Sequence, residues 1–268
     1  MYLQHFGLKH DPLGKNICEL ASNHQYLKVK SDLENLTQTR GVGLITGESG
    51  VGKTAGIRAW VNSLNPLTHK VMYQVDNHFK AFDIYSQLGD SLGLEPCHRY
   101  SRLWRNIKKE ILHLYDEKKI TPVWILDEAQ QLPLKFFAEL PAFLNMDFDT
   151  KEPIIILLVG TPKMFSILQR GTYASLSSRI QFHYKWEAFE EIDEFSAFIT
   201  TAFNNAGSQQ KLFSDSAMAL LHSATKGRLR YAHRVITNSL QLAASQNCNH
   251  ISDDVIKKVI EQLRAMTH

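Results

Sequence analysis

Leu44-Ile45-Thr46-Gly47-Glu48-Ser49-Gly50-Val51-Gly52-Lys53-Thr54 is the stretch on which the fold turns. An apolar run, Val42 to Ile45, enters a G-x-x-x-x-G-K-T loop, and a helix-compatible run, Ala55 to Leu64, leaves it. Strand, glycine loop and helix in that order make a phosphate cradle. Bare backbone N–H groups face the anion and the helix N-terminus adds its positive dipole end. Glycine is needed where the chain turns tightly against the anion, because a Cβ would stand in the way. The candidate nucleotide-binding residues are therefore Gly47, Glu48, Ser49, Gly50, Val51, Gly52, Lys53, Thr54 and Ala55. Lys53 is expected on the β- and γ-phosphates of ATP, and the Thr54 hydroxyl on Mg²⁺.

Length and composition narrow the classes without deciding among them. A chain of 268 residues suits one large domain, or a nucleotide-binding core with a smaller partner. The formal charge of +3 says little about partners; where the basic residues cluster says more. Cys18, Cys97 and Cys248 lie far apart, give no metal or redox spacing, and suit a reducing cytoplasm. The twelve histidines contain no H-E-x-x-H pair, so a metal site built from protein ligands alone is not expected. No signal-peptide pattern opens the sequence, and no apolar run approaches the ~20 residues of a membrane span. A cytoplasmic protein without membrane contact is the expectation.

Beyond the glycine loop, strands and helices alternate. Val71 to Val75, Val123 to Leu126 and Ile154 to Val159 read as strands. Phe82 to Leu92, closed by Gly93, and Tyr100 to Tyr115 read as helices, as does His24 to Thr39 ahead of the loop. Leu132 to Leu144 also reads as a helix, with Pro141 expected to kink or end it. Uniformly apolar strands between helices predict an α/β fold whose parallel sheet is covered on both faces. Past Trp186 only amphipathic helical segments follow: Glu194 to Asn204, Ser214 to Thr225, Arg230 to Ser245 and Ser252 to Met266. The expected division is a nucleotide-binding core with a short N-terminal arm over 1–186 and a helical lid over 187–268. The arm, Met1 to Leu8 with Asp11-Pro12-Leu13, is too short to be a domain. Two readings of it stay open: it covers the nucleotide base, or Phe6 and Leu8 simply cap a core.

Val123-Trp124-Ile125-Leu126-Asp127-Glu128 is a second constellation, an apolar strand that delivers two carboxylates at its C-terminal end. Open parallel sheets bind ligands at that end. Asp127 is expected to hold Mg²⁺ through the metal's water shell, and Glu128 to polarise the attacking water. Gly47 to Thr54, then Leu126-Asp127-Glu128-Ala129-Gln130, then Leu157-Leu158-Val159-Gly160-Thr161-Pro162 together resemble an AAA+ ATPase, a P-loop parallel-sheet core with a C-terminal helical lid. Within that group the chain is similar to the clade holding ExeA-like ATPases and the transposition ATPases of the TniB, TnsC and phage Mu B protein type. Its opening Met1-Tyr2-Leu3-x-His5-Phe6-Gly7-Leu8 resembles the ExeA-like start in particular.

The resemblance implies further roles. Thr161 matches the polar sensor position, although a cap for the following helix is an equal reading. Arg179, in Leu176-Ser177-Ser178-Arg179, resembles an arginine finger supplied to a neighbouring subunit, with Arg170 as the fallback. Gly227-Arg228-Leu229-Arg230 resembles the G-x-x-R of a second sensor, with Arg230 reaching back to the γ-phosphate; an arginine at a helix N-terminus without that role is the alternative. Trp124 departs from the pattern, being bulkier than the aliphatic usual in the acidic strand.

Arg99, Arg102, Arg105, Lys108 and Lys109 lie close together without an acidic residue among them. On a helix, positions 99, 102, 105 and 109 share one face while Leu103 and Ile107 turn to the core. That stripe, with Tyr100 and Trp104 beside it, suits a nucleic-acid backbone; a solvated helix face is the other reading. In the transposition ATPases that the chain resembles, the corresponding loops grip duplex DNA. Here they comprise Asn77, His78, Phe79 and Lys80, then His98, Arg99 and Tyr100. Backbone contacts carry little sequence information, so binding is expected to be nonspecific and salt-sensitive. The function expected is a slow ATPase that oligomerises as a ring or helical filament on duplex DNA and recruits or activates a transposase. The alternatives are an ExeA-like secretion ATPase and a nucleotide-gated protein adaptor. ExeA-like proteins are expected to add a membrane span and a wall-binding domain, and their absence here favours the DNA-associated reading. A small-molecule kinase fits less well, because the loop is joined to an acidic pair and a helical domain.

Overall fold

The apolar runs become the interior of one sheet. A computed structural model describes residues 2–14, 24–75, 80–147, 150–208 and 210–265. Its strands are β1 (Gly41–Gly47), β2 (His69–Gln74), β3 (Thr121–Leu126), β4 (Ile155–Gly160) and β5 (Ile180–Trp186), in the order β2-β3-β4-β1-β5 and all parallel. Every residue of β1 and β4 is buried. This follows from parallel pairing, whose crossover helices cover both faces and leave no position for a solvated side chain. β2 starts two residues earlier than the apolar pattern suggests, because His69 and Lys70 pair with Thr121 and Pro122. β5 reaches Trp186 because Phe182 to Trp186 pair with Gly43 to Gly47 along β1.

The chain divides into two compact units. The sheet unit comprises residues 28–47 and 60–186, and the helical unit 2–27, 48–59 and 187–265, within the described residues. Around the sheet lie α2 (His24–Thr39), α4 (Ala81–Leu92), α5 (Tyr100–Asp116), α6 (Leu134–Leu144), α7 (Pro162–Leu168) and α8 (Ala174–Ser177). Gly93 closes α4 at φ +91, and its N–H donates back to the helix end. Pro141 does not end α6. Phe136, Phe137 and Leu140 before it and Phe143 and Leu144 after it are all buried. That apolar burial on both sides outweighs the ~3 kcal/mol an interior proline costs a helix.

Trp124, unexpected in its strand, has no exposed surface and sits at the centre of an aromatic cluster. Its ring lies 5.8 Å from Tyr85, 5.7 Å from Phe136 and 6.1 Å from Phe143. The indole N–H donates to Gln74 Oε1 over 3.1 Å, which satisfies the only polar atom of the side chain. The bulk is therefore absorbed by packing, and β3 keeps its register with both neighbours.

The helical unit packs α9 (Ile192–Asn205), α10 (Asp215–Thr225), α11 (Leu229–Ser245) and α12 (Asp253–Ala265) around a core of its own. Ser214 caps α10 by accepting the Ala217 N–H at 3.0 Å. The N-terminal arm, with its single helical turn α1 (Tyr2–His5), belongs to this unit, and Phe6 and Leu8 are buried among the lid side chains. Three polar ties hold it: Lys9 N–H to the Ala206 carbonyl at 2.8 Å, His5 Nε2 at 2.9 Å from the Cys248 carbonyl, and His233 Nε2 at 2.8 Å from Asp11 Oδ2. Phe6 and Leu8 thus belong to the core of the helical unit.

Truncating Trp124 empties a large buried volume and strands the Gln74 amide. Trp124→Ala is expected to destabilise the fold by about 3–5 kcal/mol, and Trp124→Phe by less. Urea unfolding followed by circular dichroism checks this; equal stability of Trp124→Ala and the native protein would refute it.

Candidate functional site

The glycine loop follows β1, and its local geometry is the one a phosphate cradle needs. Gly50 and Gly52 adopt φ +84 and +111, values that side-chain-bearing residues rarely take. The loop ends in α3 (Lys53–Ser63), where the Gly56 N–H donates to the Gly52 carbonyl at 3.0 Å. Lys53 stands at the start of that helix with only 7% of its surface exposed, its ammonium on the Glu48 carbonyl at 2.9 Å. The lysine thus spans the mouth of the loop from one side to the other. Thr54 occupies the next position of the first turn, with Ala55 behind it.

Arg230 meets this loop inside the helical unit. Its backbone N–H donates to the Gly50 carbonyl at 2.9 Å, and its guanidinium Nη1 donates to Ser49 Oγ at 2.9 Å. A Cβ on Gly50 would stand 2.7 Å from the Cβ of Arg230, so the glycine serves the contact as well as the turn. Gly227 makes the approach possible. At φ +64 its Cα faces the Phe189 carbonyl, where a Cβ would collide at 1.9 Å, and its own carbonyl accepts the Phe189 N–H at 3.2 Å. Three residues later the first turn of α11 presents Arg230.

In the sheet unit, the parallel register brings the ends of β1, β3 and β4 to one edge. Leu158 pairs with both Leu44 and Leu126, and Thr46 with Gly160. Asp127 and Glu128 follow β3 at that edge, and Thr161 follows β4. Asp127 is 5% exposed, and both its oxygens are engaged: Oδ1 accepts the Glu128 N–H at 2.8 Å and Oδ2 the Tyr73 hydroxyl at 2.7 Å. Hydroxyl and carboxylate oxygens are the hard donors that Mg²⁺ takes. No group of three or more His, Cys, Asp or Glu side chains among the described residues is arranged to hold a metal alone. Glu128 lies at φ +53, and Gln130 Nε2 donates to its Oε2 at 2.7 Å. Tyr73 and Gln130 are partners that the sequence reading missed. Tyr73 alternates with Gln74 along β2, and Gln130 stands within the quoted Asp127 to Gln130 segment, so spacing alone was the available signal.

Thr161 is the N-cap residue of α7, yet its side chain makes no capping bond. Its backbone N–H donates to Gln130 Oε1 at 2.9 Å. Arg179 sits elsewhere: it precedes Ile180, which pairs with Val42 at the start of β1. Along the ladders Arg179 lies roughly 13 Å before the level of Asp127 and roughly 20 Å before that of Thr161, at ~3.3 Å per residue. Arg170 is exposed in the turn after α7.

Along α5, Leu103, Ile107, Ile111 and Leu114 are buried, while Arg99, Arg102, Arg105 and Lys109 are exposed. His98 and Lys80 are exposed too, the latter at the start of α4, where its N–H donates to Asp83 Oδ2 at 2.8 Å. Lys108 is used internally: its ammonium donates to the carbonyls of Ala142 and Asn145 at the end of α6, at 2.8 and 2.9 Å. Burial pushes its pKa down from the ordinary lysine value. Tyr100 also turns inward, its hydroxyl on Glu139 Oε2 at 2.5 Å and its ring against Phe82, Tyr85 and Trp104. Burial, with the Glu139 hydrogen bond and charge, raises its pKa well above the usual phenol range. Asn77, His78 and Phe79 lie outside the described residues.

The model of the AAA domain family matches residues 35–168. General secretion pathway protein A of Aeromonas hydrophila is 24% identical over 258 residues, which are 94% of this chain and 46% of that protein. The chain thus spans about half the length of the curated relative it matches. Among solved structures, the Aeropyrum pernix ORC2 protein in ADPNP-ADP complexes superposes with a TM-score of 0.72 at 16% identity, covering 94% of this chain and 71% of that one. The Aeropyrum pernix ORC1 protein in complex with DNA gives 0.71 at 13% identity, covering 94% and 68%. These likenesses show an α/β P-loop fold of the AAA+ kind. No helix among the described residues is long and apolar enough to cross a membrane.

The seat of Arg230 on the loop makes a specific prediction. Gly50→Ala adds a strained φ and a collision with Arg230, and is expected to raise the Kd for ATP about tenfold or more. Arg230→Gly removes the Cβ that the new methyl group would meet, so the double variant should lose less than the sum of the two single losses. Titration with a fluorescent ATP analogue measures all three, and strict additivity would sink the coupling.

Proposed function

The chain belongs to the AAA domain family, and from that premise we propose that it hydrolyses ATP, assembles with further copies of itself and binds duplex DNA through the phosphate backbone. The observation that carries the reading is the glycine loop with buried Lys53 across its mouth and Arg230 bonded to Gly50 and Ser49. Loop amides and Lys53 bind the phosphates, and Arg230 reports the state of the loop to α11. Mg²⁺, when bound through Thr54 and Asp127, supplies neutralisation of phosphate charge. Glu128 orients the attacking water and accepts its proton, and the hydroxyl of Thr161, unused as a cap, is available as a polar sensor.

Arg179 is assigned to a neighbouring copy. It stands at the strand-start edge of its own sheet, so its guanidinium serves the γ-phosphoryl charge of another protomer. The exposed Arg99, Arg102, Arg105 and Lys109, with His98 and Lys80, supply the DNA contacts. The likeness to the ORC1 protein in complex with DNA supports that assignment. Resemblance to the TniB, TnsC and phage Mu B protein type makes regulation of a transposase the setting we favour. A second reading is favoured by the match to General secretion pathway protein A: an ATPase of secretion, in which the same α5 face meets another acidic partner.

Two experiments separate these readings. Arg99→Glu/Arg102→Glu/Arg105→Glu is expected to abolish binding to random duplex DNA and leave ATP binding intact. In the native protein log Kd should rise steeply with log salt, by about 0.9 per phosphate contact. Native protein that ignores DNA at low salt would move the assignment to secretion. For Arg179, the Arg179→Ala and Glu128→Gln variants should each be nearly inactive alone, and their mixture should regain ATPase activity, because an intact finger then faces an intact site. No recovery on mixing would refute action between copies.

A further inference from the structure

Gln130 has no role in the assignments above, yet its carboxamide joins two of the candidate catalytic positions. Nε2 donates to Glu128 Oε2 at 2.7 Å, while Oε1 accepts the Thr161 N–H at 2.9 Å. One planar amide therefore ties the carboxylate after β3 to the tip of β4. The rest of the local structure is shaped around that bridge. Gly160, the last residue of β4, leaves the space it occupies: a Cβ there would stand 2.5 Å from Gln130 Oε1. Glu128 is held at φ +53, a left-handed conformation that costs a non-glycine residue of order 1 kcal/mol or more. The Asp127 Oδ1 contact to its N–H and the Gln130 contact to its carboxylate are what fix it. Among the described residues nothing donates to the other oxygen, Oε1, so the carboxylate is clamped by one oxygen and open at the other.

We propose that Gln130 is a positioning residue for hydrolysis: by holding Glu128 Oε2 and the β4 tip on one amide, it aims Glu128 Oε1 at the water that the carboxylate activates. This rests on the ATPase reading. A glutamate at a strand end has three rotatable side-chain bonds, and a single amide donor selects the rotamer in which the second oxygen faces outward. The link to Thr161 fixes the amide itself, so the orientation of Glu128 depends on the position of β4.

Two variants test the bridge by different routes. Gln130→Met keeps the length and bulk of the side chain and removes both hydrogen bonds. Gly160→Ala keeps the amide and displaces it with one methyl group, on a strand backbone that alanine tolerates. Both are expected to lower kcat about 10- to 100-fold, the loss a misplaced group of this kind brings. KM for ATP, the Kd of a fluorescent ATP analogue and the melting temperature should stay at native values. Because both act on one contact, the double variant should fall no further than the worse single one.

Native kcat in both variants would overturn the positioning role while leaving the ATPase reading in place, as would a rise in KM at unchanged kcat. Native protein that binds ATP without turning it over would overturn the ATPase reading, and this role with it. A drop in melting temperature that tracks the loss of kcat would assign Gln130 to folding alone.

Discussion

Parallel register is the constraint on which the sheet unit depends. Leu158 of β4 pairs at once with Leu44 and Leu126, so the three strands run in one alignment and the residues that follow them emerge at the same end of the sheet. Asp127, Glu128 and Thr161 owe their proximity to that alignment and to nothing in the sequence between them. The hydrogen bonds that refine it are short-range: Tyr73 onto Asp127, the Glu128 N–H onto Asp127, and Gln130 across to Thr161. Register puts the groups within reach, and these bonds choose their directions.

The same register places Arg179 at the opposite edge. Ile180 pairs with Val42, whereas Asp127 follows Leu126, which is level with Leu44 and Leu158 in the shared ladder. Charge and chemistry along α5 are likewise sorted by local packing. Five basic residues occur together in sequence, but Lys108 closes the carbonyl end of α6 and Tyr100 is committed to Glu139, so the solvent-facing set is narrower than the run implies. A helix face follows from a period of 3.6, while a lysine's partner thirty-four residues away does not.

Much of the fold was legible because its signals are local. The glycine loop, the apolar runs of β1, β3 and β4, and the Gly93 stop each declare themselves within a few residues. What the pattern missed was set by distant partners. β5 extends to Trp186 because β1 offers it a ladder, α6 continues through Pro141 because buried aromatic residues flank it, and Trp124 fits because Gln74, Tyr85 and Phe136 leave it room. Among the candidate residues, Gly47, Lys53, Asp127 and Glu128 stand in short motifs whose spacing is a local signal. Gln130 could not be read so, since its use depends on the absence of a side chain at Gly160.

The seating of α11 has a mechanical consequence. Its first turn is bonded to the glycine loop through Arg230, and it runs seventeen residues to Ser245. At 1.5 Å per residue that is a rigid lever about 25 Å long. A tilt of about 10° at the loop end would therefore carry the far end through about 4 Å. Just beyond that far end, the Cys248 carbonyl is the one that His5 of the N-terminal arm contacts. A displacement at the loop too small to see in the loop itself would in this way be magnified into a stroke at the arm.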